Sequence, residues 1–355
     1  MEGEKMWKIG LVGTGFWSEK HLKAWSRIPN VKISALCNRS RDKMVQKASQ
    51  YGVETDQLYN SLEEMLAKAD IDVVDIVTGP ETHLPFVKLA AAAGKQIMCQ
   101  KPFAPSLKEA EEIVGTAREA GVRLMVTENW RWLQPIQVIK SVLESGSLGT
   151  LNVVRYINSD FFTPRMSPER AIAQPFLTTM PKLMFYEMGA HWFDTWRFLF
   201  GEPKRLFAET GSFSPYVVGE DAGVITLSHG HFYGLMDMCW VTRRELTASL
   251  DQVENGSSVD SHFKEQFIID GNHASLIMYT DGTIVTMDSA GTRQLIAEKT
   301  ELDYEESHYR LQTHFIHCLD TGEPFQTSGE DNLKTLSLAF ATYESALEHK
   351  VIRFD

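Results

Sequence analysis

The sequence predicts two parts: an α/β part on a doubly wound parallel sheet, then an α+β part on a mainly antiparallel open sheet backed by helices. Three observations predict this. Short apolar runs alternate with helical stretches from Trp7 to about residue 126, a rhythm that needs parallel strands joined by right-handed crossovers. Around Thr127 the rhythm changes, and after residue 205 short alternating runs are separated by Gly230, Asp270-Gly271 and Asp281-Gly282, which is hairpin chemistry. The first apolar run, Ile9-Gly10-Leu11-Val12, enters the turn Gly13-Thr14-Gly15-Phe16-Trp17-Ser18 and leaves it as a helix. The expected division is 1–126 and 127–355, with the C-terminal helix free to return to the first part.

Bulk properties narrow the function. A chain of 355 residues holds two full cores. A formal net charge of -12 and a pI near 5.4 argue against a general nucleic-acid or membrane-surface binder, because either polyanion is repelled. Cys37, Cys99, Cys239 and Cys318 lie far apart with no CxxC pair, as expected of buried thiols in a reducing compartment. No apolar run approaches the ~20 residues of a membrane span. The charged start reaches a core strand too soon for a signal peptide, so a cytoplasmic protein is expected.

In chain order, Val31 to Cys37 reads as a second strand, ending at Asn38-Arg39-Ser40. Met44 to Tyr51 and Ser61 to Lys68 read as helices, the second with Ser61 as N-cap and Glu64 three residues on. Val73 to Val77 is a buried strand stopped by Gly79-Pro80. Pro85 to Ala93 is a helix ended by Gly94, Gln96 to Cys99 a strand, Ser106 to Ala120 a helix closed by Gly121, and Leu124 to Val126 a strand. In the second part, Pro135 to Ser145 is a helix and Thr150 to Phe162 an exposed-face strand; 163–182 is irregular and is a candidate lid. Met184 to Gly201 reads as one helix. Strands are expected at 205–213, 221–229, 232–241, 264–270, 274–280 and 283–288, and helices at 306–321 and 331–348.

Ligands on a doubly wound sheet sit beyond the carboxyl ends of its strands. Those ends carry Gly13, Asn38, Thr78, Gln100-Lys101-Pro102 and Glu128-Asn129. Gly13 permits the turn, Gly15 lets a pyrophosphate approach the main chain, and the helix start favours the anion. Ser18 replaces the Gly or Ala usual at the third fingerprint position. The bland alternative is a tight turn feeding a helix. No acid follows the second strand to repel a 2'-phosphate, and Arg39 and Ser40 suit one, so NADP is slightly favoured over NAD.

Two stretches carry candidate chemistry. Lys101 follows a buried strand, and Pro102 extends the main chain before it, aiming the lysine at the crevice; a snorkelling surface lysine is the alternative. Glu187, His191 and Asp194 are spaced by four and three, which puts them on one side of a helix. A carboxylate one turn from a histidine can orient it and stabilise its protonated form. A satisfied core histidine competes with that reading. A metal pair lacks a third ligand at useful spacing, so no metal is expected.

Several pieces in this order resemble the Gfo/Idh/MocA family of NAD(P)-dependent oxidoreductases, the inositol and glucose-fructose dehydrogenase group. They are the glycine turn, Thr78-Gly79-Pro80 with His83, Gly94-Lys95 leading to Gln100-Lys101-Pro102, and Asn129-Trp130-Arg131. Glu187-Met188-Gly189-Ala190-His191 with Asp194, and Gly322-Glu323-Pro324 followed by Gly329-Glu330-Asp331, complete the set. Two positions depart: the usual Glu-Lys-Pro is Gln100-Lys101-Pro102, and the usual Asp is Glu187.

The resemblance implies a Rossmann domain followed by a substrate-binding and oligomerisation domain. It implies hydride transfer between a sugar or polyol CH-OH and NAD or NADP. His191 is then the general base, Glu187 its orienting partner and Lys101 the cation on the hydroxyl, with Asn129, Arg131, Tyr186 and Asp194 near the substrate. Gly13, Thr14, Gly15, Phe16, Trp17, Asn38, Arg39, Ser40, Thr78, Gly79, His83, Gln100 and Lys101 are implied to line the cofactor. The stretch from Glu128 to Arg131 is similar to a branch that includes D-apiose dehydrogenases. A homo-oligomer, dimer or tetramer, is implied through the open sheet face. An NAD-dependent redox-assisted glycoside hydrolase and a non-catalytic nucleotide-binding protein are the alternatives.

Overall fold

The structure is a computed structural model and describes residues 5–242, 264–300 and 302–354. It divides into two units, Met1–Trp132 with Asp303–Ser337, and Leu133–Leu302 with Leu338–Asp355.

The first unit is built by strand and helix in alternation: β1 (Trp7–Val12), α1 (Ser18–Trp25), β2 (Val31–Cys37), α2 (Arg41–Tyr51), β3 (Leu58–Tyr59), α3 (Leu62–Lys68) and β4 (Val73–Ile76). It continues through α4 (His83–Ala92), β5 (Gln96–Gln100), α5 (Leu107–Glu119) and β6 (Leu124–Thr127). The six strands pair in parallel in the order β3-β2-β1-β4-β5-β6, so the chain reverses direction across the sheet between β1 and β4. Helices cover both faces, which is why Ile9, Leu11, Val73, Ile76 and Ile97 are all fully buried. The expected parallel sheet is present. It gains one strand that the sequence did not signal, because two residues are too short for any periodicity to register. Ser61 and Ser106 cap α3 and α5, each hydroxyl accepting the main-chain N–H three residues on at 3.2 Å.

The second unit opens with α6 (Gln134–Glu144) and β7 (Leu151–Ser159), and 3-10 turns at Thr163–Arg165 and Pro175–Thr179 order part of the irregular stretch. After them come α7 (Gly189–Phe200), β8 (Arg205–Gly211), β9 (Ala222–Ser228), β10 (Tyr233–Cys239), β11 (Glu265–Gly271), β12 (Ala274–Tyr279), β13 (Ile284–Asp288) and β14 (Arg293–Ala297). The chain ends in α8 (Tyr304–Thr321), α9 (Gly329–Glu348) and β15 (Ile352–Arg353). The sheet order is β14-β13-β12-β11-β7-β10-β9-β8-β15, antiparallel except where β10 meets β7. Its inner face is apolar and buried, with Tyr156 stacked on Phe267 at 3.9 Å between ring centres. The outer face leaves Val224 and Tyr233 exposed. β14 and β15 escape sequence reading because both are short and lie at the sheet edges.

Three expectations need correction. Residues 184–201 are not one α-helix: Met184–Met188 form a π turn, and the α-helix begins at Gly189. The β11–β12 turn falls on Asn272-His273, because Asp270 and Gly271 still belong to the strand. Cys239 is only half-buried, while Cys37, Cys99 and Cys318 are buried. Burial pushes the Cys37 thiol up to about 12, so it stays an unreactive thiol at neutral pH. No helix among the described residues is long and apolar enough to cross a membrane.

Candidate cofactor crevice and the helical acid-base segment

In the first unit, the turn after β1 is set by its neighbours. Gly13 has φ +95°, its N–H donates to Cys37 O at 2.8 Å, and a Cβ there would lie 2.2 Å from Val77 O. Only glycine fits between the ends of β2 and β4. Gly15 is the opposite case, since a Cβ there would meet nothing within 4 Å. The space in front of its main chain is open. Ser18 is fully buried at the start of α1, and its hydroxyl donates to Gly15 O at 2.7 Å. The third fingerprint position therefore closes the turn on itself. Thr14 is buried, and its Oγ1 has no hydrogen-bond partner among the described residues. Phe16 is 59% exposed and meets Trp17 edge-on, and Trp17 stacks on His308 of α8. An open cradle, an unmatched buried hydroxyl and a helix start are what a pyrophosphate requires, so the residues fit a dinucleotide.

At the end of β2, the Asn38 amide donates to Ser40 O at 3.3 Å, and Arg39 is exposed. Arg41 is turned away, donating to Leu58 O and Thr55 O. At the end of β4, the Thr82 hydroxyl donates to Gly79 O, so in the 2.6 Å pair Thr78 Oγ1 donates to Thr82 Oγ1. His83 is fully buried, with Nδ1 2.9 Å from Phe103 O and Nε2 3.1 Å from Thr78 O. Burial pushes its imidazole down, and it braces the loops after β4 and β5 from within.

At the end of β5, Gln100 Oε1 accepts from Lys101 N at 2.7 Å, and Gln100 Nε2 lies 3.0 Å from His21 Nε2. Behind it, His21 Nδ1 lies 2.9 Å from Asp75 Oδ2, which also accepts from Trp25 Nε1 at 2.7 Å. Lys101 is buried at the mouth of this arrangement. Sequence reasoning missed His21, Asp75 and Trp25. The signal was available: Asp75 is a lone charge in the apolar run Val73 to Val77, and a buried charge demands partners.

After β6, Asn129 Nδ2 donates to Ser307 Oγ at 2.6 Å. Arg131 donates to Gln326 O at 2.9 Å and pairs with Asp331 at 3.1 Å. Both side chains are buried and tie the loop to α8 and to the start of α9.

In the second unit, Tyr186, Glu187, His191 and Asp194 are all buried, the first two in the π turn and the others in α7. α7 is buried almost all round, so its polar residues face packed protein wherever they point. Glu220, also unforeseen, anchors this segment. Its carboxylate accepts from Leu183 N at 3.2 Å, from Phe185 N at 2.9 Å and from the Tyr343 hydroxyl. Asp221 beside it accepts from Phe213 N, Ser214 N and the Thr163 hydroxyl, fixing the first turn of the irregular stretch.

Comparison with known proteins agrees with this build. Residues 7–128 match the oxidoreductase family model for the NAD-binding Rossmann fold, and residues 136–277 match the GFO/IDH/MocA C-terminal domain. The chain is 34% identical to a D-apiose dehydrogenase of Paraburkholderia graminis, over 98% of this chain and 90% of that one. It is 31% identical to a D-apiose dehydrogenase of Rhizobium rhizogenes, over 97% and 96%. The crystal structure of an oxidoreductase from Agrobacterium radiobacter in complex with NAD+, L-tartaric acid and magnesium is 29% identical, covers 98% of each chain and gives a TM-score of 0.85. With both domain models matched in order and relatives similar along nearly the whole length, the chain belongs to the Gfo/Idh/MocA oxidoreductase family.

Proposed function

We propose that this protein is an NAD(P)-dependent dehydrogenase that moves a hydride between a sugar CH-OH carbon and nicotinamide, with D-apiose or a close aldose oxidised at the anomeric carbon. The observation that carries the reading is the end-to-end likeness to D-apiose dehydrogenases. The nicotinamide supplies the hydride sink. The protein supplies orientation and proton handling.

In this reading, Gly13, Thr14, Gly15, Phe16 and Trp17 hold the pyrophosphate, and Asn38, Arg39 and Ser40 hold the adenosine ribose. Thr78, Gly79, Gln100 and Lys101 line the nicotinamide end, with His83 bracing their loops. Lys101 Nζ donates to the substrate oxygen and steadies its developing charge, while a ring nitrogen of His191 takes the hydroxyl proton. Glu187 orients that ring. Tyr186 and Asp194 are its neighbours, and Asn129 and Arg131 serve by fixing the loop after β6. The exposed Arg39 and the lack of an acid after β2 lean the cofactor choice toward NADP.

The second unit is then the substrate-binding part. Its outer sheet face, with Val224 and Tyr233 exposed, is the surface through which two or four copies associate, and the cytoplasm is the expected compartment. The test is a panel of free sugars with either cofactor, read by absorbance of the reduced nicotinamide. Turnover on D-apiose with a lower KM for NADP than for NAD supports the full reading. Turnover on inositol alone overturns the choice of sugar.

A further inference from the structure

The buried chain behind β5 joins Lys101 N, Gln100, His21 and Asp75, and its polarity has one solution. A main-chain N–H can only donate, so the oxygen of the Gln100 amide faces Lys101 and its NH2 group faces His21. His21 Nε2 must therefore accept and carries no proton. The ring proton sits on Nδ1, 2.9 and 3.1 Å from the two Asp75 oxygens. Trp25 Nε1 supplies Asp75 with a second donor. His21, Asp75 and Trp25 are fully buried, so water cannot offer another arrangement. A second titratable ring beside His21 belongs to His308, 5.4 Å away between centres, and its Nδ1 lies 2.8 Å from Tyr304 O.

We propose that Asp75 and His21 are positioning residues that act through Gln100: they hold its amide in one orientation, and that amide holds the main chain at Lys101. The kinetic consequence rests on the dehydrogenase reading; the hydrogen-bond chemistry does not. An ionised glutamate at position 100 would offer only acceptors, so the contact with His21 Nε2 would need an added proton, on that nitrogen or on the carboxyl. Glutamine lets the same geometry run with a neutral ring.

The test uses the full chain with 15N-labelled histidine, the His21 signals being assigned by their loss in His21→Asn. The native protein should show His21 protonated at Nδ1 and bare at Nε2. Gln100→Glu removes the amide donor to His21 Nε2, so the chain should need an added proton to keep that contact, and kcat should fall with the sugar KM changed far less. Gln100→Leu should speed amide exchange at Lys101 and lower kcat roughly 10- to 100-fold, with the sugar KM changed far less. The proposal is overturned if native His21 carries its proton on Nε2 or on both nitrogens, or if Lys101 exchange is the same in Gln100→Leu. Should the leucine variant not fold, the native His21 tautomer still decides: a ring proton on Nε2 contradicts the relay. If no sugar is oxidised by the native chain, the NMR and exchange results still decide the relay, and the dehydrogenase reading alone fails.

Discussion

The glycine-turn crevice of the first unit and the Met184–Phe200 segment of the second assemble polar groups in opposite ways. The crevice gathers residues from the ends of β1, β2, β4 and β5, and it relies on main-chain shape and a buried relay. The other places Tyr186, Glu187, His191 and Asp194 on one continuous stretch anchored at its start by Glu220. In the crevice, ligand contact and fold can be separated by mutation, because Gly15 faces open space while Gly13 is locked between strands. In the helical segment they are intertwined, because α7 is buried on nearly every side.

The largest expected effect removes the proposed chemistry from each region in turn. Lys101→Ala and His191→Ala should each lower turnover by on the order of 10²–10⁴, measured as initial rates of nicotinamide reduction. Equal rates for both variants and the native chain would place the chemistry elsewhere.

Next comes the separation of fold from ligand within the crevice. Gly13→Ala should cost about 1–3 kcal/mol or more and lower Tm, since it adds a strained φ and a clash with Val77 O. Gly15→Ala should leave Tm unchanged yet weaken cofactor binding in a fluorescence titration. A Tm loss at Gly15 as large as that at Gly13 would break the distinction.

Anchoring of the helical segment gives a similar but smaller effect. Glu220→Gln should cost about 1–3 kcal/mol and speed amide exchange across 183–188, because two main-chain donors lose a charged acceptor. Tyr343→Phe removes one donor to Glu220 and should cost about 1 kcal/mol.

The smallest expected effect is the pH dependence of stability. Burial pushes His83 down, and His229 and His314 each to about 4, against an unfolded value of about 6.5. Below that unfolded value the unfolded chain binds more protons, so stability falls as pH drops from about 6.5 toward 4. Thermal melts at stepped pH should show this slope, and His229→Asn should flatten part of it. A Tm that rises on acidification through this window would reverse the sign.

Much of this was legible because local chemistry and tertiary role coincide. Strand–turn–helix at Ile9 to Ser18 and the Ser61 cap announce themselves within a few residues, whereas the even helical spacing of Glu187, His191 and Asp194 is broken by the π turn that holds Glu187. What stayed hidden depends on distant partners. The π turn at Met184–Met188 is held partly by Glu220, far along the chain. Asn129 and Arg131 are bound and buried by Ser307 and Asp331, partners far along the chain that no local pattern announces. Asp75 and His21 find each other only once β4 and α1 are packed together.

The most direct measurement is the purified chain incubated with D-apiose and either nicotinamide cofactor, following the reduced form by absorbance. The native protein should reduce the cofactor in proportion to the sugar consumed, and His191→Ala should lose nearly all of that activity. A native chain that binds the cofactor but reduces it with no sugar would contradict the account.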